Sequence, residues 1–180
     1  MKMAIVGASE EKWSEDERSE AKMMIYYKLL PKEGITLISG GSPKGGVDIW
    51  AEQCADAMKI PKQIFKPEVE QWEDKVTDGD GVEVHGKITD PIKEQLFIRK
   101  GYKSRNIQIA EACDILYCFS PGKLKKILFE KDVISALTDE VWNGGIWTAN
   151  RAEELGKKVI RVAVHAEKVV SQRHISGGEK

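Results

Sequence analysis

The sequence predicts an α/β fold: a Rossmann-like, doubly wound, mainly parallel sheet in three layers, broken by two irregular insertions. Short apolar β-type runs alternate with segments of helical periodicity, which is the pattern of βαβ units around a parallel sheet. Glycine-bearing turns follow the strands, and in such a topology these turns gather at one edge of the sheet. The 180 residues are enough for one domain with a proper core. A single domain is expected over residues 1–170, with 171–180 as a frayed tail that lacks an apolar face.

Residues 3–6 make the first strand. Met23, Tyr26, Tyr27 and Leu30 recur at helical spacing before Pro31 and Gly34 stop the segment, so a helix of roughly 15 residues follows. Residues 35–38 are the second strand. Trp50, Ala51, Cys54, Ala55 and Met58 mark one face of the next helix, with Asp48 placed to cap it, and a third strand is expected near 63–66. Residues 67–100 break the rhythm, and TDGDGVEVHGKITD suggests an inserted hairpin or loop of the kind that often serves as a lid. Tyr102, Asn106, Ile109, Ala110 and Cys113 share a helical face, and residues 115–119 form a strand. A second irregular stretch, 120–142, precedes NGGIWTANRAEELG, a glycine turn opening a helix that ends at Gly156, and residues 159–164 close the sheet.

With 28 basic and 29 acidic side chains, a net charge of -1 supplies no global field toward nucleic acid or an anionic membrane. Cys54, Cys113 and Cys118 are odd in number and form no C-x-x-C pair, so no disulfide framework or zinc site is expected and the compartment reads as reducing. No apolar stretch approaches the ~20 residues needed to cross a bilayer, and MKMAIVGAS reads as a strand rather than a signal segment. A soluble cytoplasmic chain with no membrane partner is the expectation. His85, His165 and His174 are dispersed, and Asp78 and Asp80 lack the downstream ligands of a calcium loop, so no metal is expected.

The segment SGGSPKGGVD (39–48) holds four glycines in ten positions. Gly40 and Gly45 have the spacing of the triphosphatase loop G-x-x-x-x-G-K-[ST], but Gly46 and Val47 stand where lysine and a hydroxyl belong. ATP hydrolysis is therefore a poor reading, and without G-x-G-x-x-G so are NAD and FAD; no cofactor is assigned. Two readings remain: a tight turn whose glycines supply positive φ, or an anion site where backbone N–H groups meet a phosphate at a helix start. A second glycine turn, Gly144-Gly145 before Thr148, falls on the same edge and favours the anion site.

The order strand-GAS, LISGGSPKGGVD, YKSRNIQIAEACDILYCF, NGGIWTANRA and GKKVIRV resembles the SLOG superfamily over residues 3–164, apart from the two irregular stretches. That superfamily includes the DprA/Smf DNA-processing proteins and the LOG nucleoside-monophosphate phosphoribohydrolases. The resemblance implies a homo-oligomer that holds a nucleotide phosphate on its glycine loops. It points to Gly7, Gly40, Gly41, Ser42 and Gly45 on the first two loops, and to Gly144, Gly145 and Thr148 on the third; Ser9 reads equally as a donor to a phosphate or ribose or as a simple turn residue. Asp48, Arg105 and Asn106 complete the expected ligand-binding set, with Arg151 facing a second phosphate or a carboxylate.

LOG enzymes pair an arginine, nine residues before the Asp that opens the fourth strand, with the glutamate of a PGGxGTxxE loop. Arg105 stands nine residues before Asp114 and matches the arginine, but Arg151 occupies the glutamate position, Trp147 a glycine and Asn143 the proline. N-glycosidic cleavage passes through an oxocarbenium-like state that a carboxylate stabilises and a guanidinium opposes. Catalysis by Arg105 would then need Glu111, Glu153 or Glu154.

Three functions follow from these residues. The first is a binding module or sensor for a nucleotide or related phosphorylated small molecule. The second is a divergent phosphoribohydrolase. The third is a DprA-like binder of single-stranded DNA, disfavoured because the chain is neutral and such binding wants a basic groove with stacking platforms. Trp142 and Trp147 flank the NGG turn, either to stack on a base or to pack in the core or a dimer; Lys123, Lys125 and Lys126 read as a solvated face.

Overall fold

The computed structural model describes residues 1–29, 34–84, 96–122 and 143–164. Expectations for Leu30, Pro31, the lysines at 123, 125 and 126, Trp142, the three histidines and the 171–180 tail lie outside the described residues, as does most of the second insertion.

Five parallel strands form the sheet: β1 (Lys2–Gly7), β2 (Thr36–Ser39), β3 (Lys62–Ile64), β6 (Ile115–Pro121) and β7 (Lys158–Val164), in the order β3-β2-β1-β6-β7. The helices are α1 (Glu15–Leu29), α2 (Val47–Ala57), α3 (Tyr102–Ala112) and α4 (Gly144–Glu154). Along β1, alternation sends Met3 and Ile5 to one face and Ala4 and Val6 to the other. The first face packs with Ile25, Leu29 and Trp50 of α1 and α2; the second packs with Ile109 of α3 and Ala149 and Ala152 of α4. The result is the expected three-layer Rossmann-like α/β fold. Register keeps the two faces in phase, with Met3 opposite both Leu37 and Ile115.

Ser14 starts α1 as half of a capping box: its hydroxyl receives the Glu17 N–H at 3.3 Å while the Glu17 carboxylate accepts the Ser14 N–H at 3.0 Å. The helix has the expected 15 residues but buries a different face. Ala21, Ile25 and Leu29 point inward, whereas Met23, Tyr26 and Tyr27 are exposed. Both stripes have helical spacing, and Ala21 is small enough to let α1 lie close against the sheet. The 67–100 insertion contains a hairpin, β4 (Lys75–Thr77) antiparallel to β5 (Phe97–Arg99). Its Asp78 side chain accepts the N–H groups of Asp80 and Val82 in a turn. No helix among the described residues is long and apolar enough to cross a membrane.

Candidate functional site

The chain runs outward from β1 through β2 to β3, then returns across the sheet through α3 to β6 on the other side of β1. Between β1 and β6 the winding reverses, and outside the carboxyl ends of strands at such a point an α/β sheet opens a crevice. A cavity of about 170 Å³ lies there. That is many times the ~15 Å³ one water requires, so it has room for more than a trapped solvent molecule.

Gly7, Ser42 and Gly45 line one wall, Arg105 and Asn106 a second, and Gly144, Gly145 and Thr148 a third. The first and third walls meet at a contact only glycines permit. A Cβ on Gly145 would lie 2.6 Å from the Gly7 Cα, and one on Gly7 would lie 2.2 Å from the Phe119 carbonyl oxygen. These close approaches bring the start of α4 against the end of β1. The start of α2 borders the same cavity through Asp48, so two helix N-termini, each with partial positive charge, converge on it.

Arg105 sits in the first half of α3 with its side chain only 9% exposed. Its Nη1 donates to the Gly40 carbonyl at 2.6 Å and lies 3.6 Å from Asp48 Oδ2. The guanidinium carbon lies 5.4 Å from the centre of the Tyr102 ring. Its Nε has no hydrogen-bond partner among the described residues. The guanidinium is thus a buried cation on the cavity wall, with Asp48 as its neighbouring carboxylate.

Asp48 is not the expected cap. Gly46 holds the N-cap position of α2 with φ 91°, no side chain caps the helix, and Asp48 is the second helical residue. Its carboxylate is engaged with Arg105, a partner from a distant part of the chain that local spacing does not reveal. Burial pushes the carboxyl up to about 6, and Glu52 one turn along the same helix pushes the same way; Arg105 and the backbone amides of Gly7 and Gly40 pull it down. Glu52 accepts the Ser39 hydroxyl at 2.6 Å and the Gly41 N–H at 3.1 Å, which ties the glycine loop to α2.

Asn106 and Thr148 both donate to the Gly144 carbonyl, at 3.3 and 2.7 Å, and so hold the α4 turn in place. Asn143 caps α4 by accepting the Ile146 N–H at 3.0 Å. Ser9 lines the cavity with its hydroxyl proton given to Glu11. Gly40 and Gly41 do not line the cavity and support it from behind, one through Arg105 and the other through Glu52.

Four expected participants lie elsewhere. Arg151 is outside the cavity lining and pairs with Glu154 at 2.8 Å across one turn of α4. Glu154 therefore faces solvent, as does Glu111, whose position six residues past Arg105 is roughly 9 Å farther along its helix. Glu153 pairs with Arg161 of β7. The helix period carries these side chains away from the edge where Gly144, Gly145 and Thr148 sit. Sequence reasoning missed Trp72, Lys44 and the ring of Tyr102 as cavity-lining groups. Tyr102 had a signal, its position three residues before Arg105 on one helical face; Trp72 had none beyond being an aromatic in a polar insertion.

Fold and site thus define a Rossmann-like α/β protein with a glycine-lined crevice at its switch point. No family model, curated protein or solved structure matches the chain.

Proposed function

We propose that the crevice binds a nucleotide or a nucleotide-derived phosphorylated small molecule, and that the protein acts as a binding module or sensor. The observation carrying this reading is Arg105, a buried guanidinium on the wall of a cavity shared with the N-termini of α2 and α4. A guanidinium between two helix starts suits a phosphate, because each supplies donors or positive potential without a metal-binding residue set. The resemblance to SLOG domains agrees with it, since the matching glycine turns and Arg105 belong to the same crevice.

A second reading, N-glycosidic hydrolysis of that ligand, has one observation in its favour. Asp48 is a carboxylate on the cavity wall, where Glu111, Glu153 and Glu154 are not. Calorimetric titration with nucleoside monophosphates, followed by chromatography for free base, separates the two. Binding without release of base is the expected result; release of base assigns hydrolysis, and absence of binding to every nucleotide and sugar phosphate tested overturns both.

A further inference from the structure

We propose that Trp72 is the platform on which the base of the bound nucleotide stacks, so that the segment at 71–74 serves as the base-recognition wall of the crevice. This rests on the nucleotide reading given above. Trp72 and Tyr102 are the two aromatic side chains lining the cavity among the described residues. Trp147, two residues past the glycine turn, does not line it; its ring meets that of Trp72 in a T-shaped contact at 5.3 Å and 88°.

The loop carrying Trp72 is clamped to the start of α3. Tyr102 N–H donates to the Gln71 carbonyl at 2.8 Å and Lys103 N–H to the Trp72 carbonyl at 2.9 Å. Asp74 accepts the Gly101 N–H at 2.8 Å and the Ser104 hydroxyl at 2.7 Å. The approach is so close that a Cβ on Gly101 would lie 2.3 Å from the Glu73 carbonyl oxygen. These bonds use donors at the start of α3 to hold the insertion, leaving the starts of α2 and α4 facing the cavity. They also put Trp72 and Arg105, which lies within one turn of the same anchor, on the lining of one cavity.

Lys44 lines the glycine-loop side of the cavity, which offers a phosphate a cation there, while Trp72 offers an uncharged ring for a base to face. Every base has a π-face, so stacking of this kind is tolerant of base identity.

The test is calorimetric titration of AMP, UMP and ribose 5-phosphate into the wild-type protein and into Trp72→Leu, which keeps apolar bulk against Trp147, and Trp72→Phe, which keeps an aromatic face. AMP and UMP should both bind the wild type more tightly than ribose 5-phosphate, by roughly 5- to 150-fold. That gap should collapse in Trp72→Leu and persist in Trp72→Phe. Equal affinity of the wild type for AMP and ribose 5-phosphate overturns the platform while leaving a phosphate site in place, as does a gap unchanged in Trp72→Leu. Failure of all three ligands to bind the wild type overturns the nucleotide reading itself. Tryptophan emission of the wild type is a variant-free check: quenching by AMP and not by ribose 5-phosphate supports the platform, and equal responses to both count against it.

Discussion

Asp48 and Arg105 set the chemistry of the crevice at the scale of single residues. Each side chain is about nine-tenths buried and they stand 3.6 Å apart, so each reduces the cost of burying the other's charge. The aspartate nevertheless has its carboxyl raised from 3.8 to about 6, chiefly by burial. Because the folded-state value lies above the unfolded one, the folded protein holds this proton more strongly. Its stabilising contribution is full below pH 3.8 and is lost as pH rises through about 6. Between pH 5 and pH 7 the wild type should lose about 1 kcal/mol more stability than Asp48→Asn, measured by urea unfolding of both proteins. Parallel profiles for the two would show that Asp48 does not titrate in this range.

Asp48 also marks where reading the sequence stops. An acidic residue at the start of a helix reads as a cap because capping is a local interaction, visible in spacing alone. Its engagement with Arg105, 57 positions away in the chain, is created by the return of α3 across the sheet. Arg105 and Asn106 were legible as candidates through motif order, yet their burial follows from the packing of α3 against β1 and β2 and the start of α4.

Among the elements, α4 shows how finely the crevice is built. Its first two residues are both glycine, but their surroundings differ. A Cβ on Gly144 would meet only Asn106 Nδ2 at 3.4 Å, whereas on Gly145 it would lie 2.6 Å from the Gly7 Cα. Gly144→Ala should therefore leave the fold intact, with the ordinary helical preference for alanine in its favour. Gly145→Ala should cost about 1 to 3 kcal/mol by pushing α4 off β1, and should weaken ligand binding with it. Thermal unfolding of the two variants side by side checks this; equal effects would mean that the α4 start does not need the close approach.

The strands and the inward faces of α2 and α3 were legible because a two-residue or a 3.6-residue period survives in any tertiary context. The face of α1 was not. Met23, Tyr26 and Tyr27 outweigh Ala21 in hydrophobicity, but the helix turns its smaller stripe inward because Ile25 and Leu29 pack behind Ala21 against the sheet. The chain reversal after β4 was legible from the glycine- and aspartate-rich turn that leads to the bridge between Thr77 and Glu83, while the clamp to α3 depends on backbone carbonyls of Gln71 and Trp72 that carry no sequence signature.

For the whole molecule, strand order decides where function can reside. The reversal between β1 and β6 draws segments from four distant parts of the chain, near residues 7, 45, 105 and 145, to one crevice. Each glycine turn alone is compatible with an ordinary tight turn; the site exists because topology assembles them. The near balance of 28 basic and 29 acidic residues supplies no global field for an anion, so the binding proposed for this crevice rests on its local groups. Binding should consequently depend on Arg105 far more than on bulk charge.

Titration of AMP into the wild type and Arg105→Lys, with both proteins first shown to be folded by circular dichroism, tests that dependence most directly. Lysine keeps the positive charge beside Asp48 but lacks the planar set of donors. Saturable binding by the wild type, weakened at least about tenfold in Arg105→Lys, is the expected result. No binding by the wild type, or equal affinity in the two proteins, would contradict a nucleotide site built on Arg105.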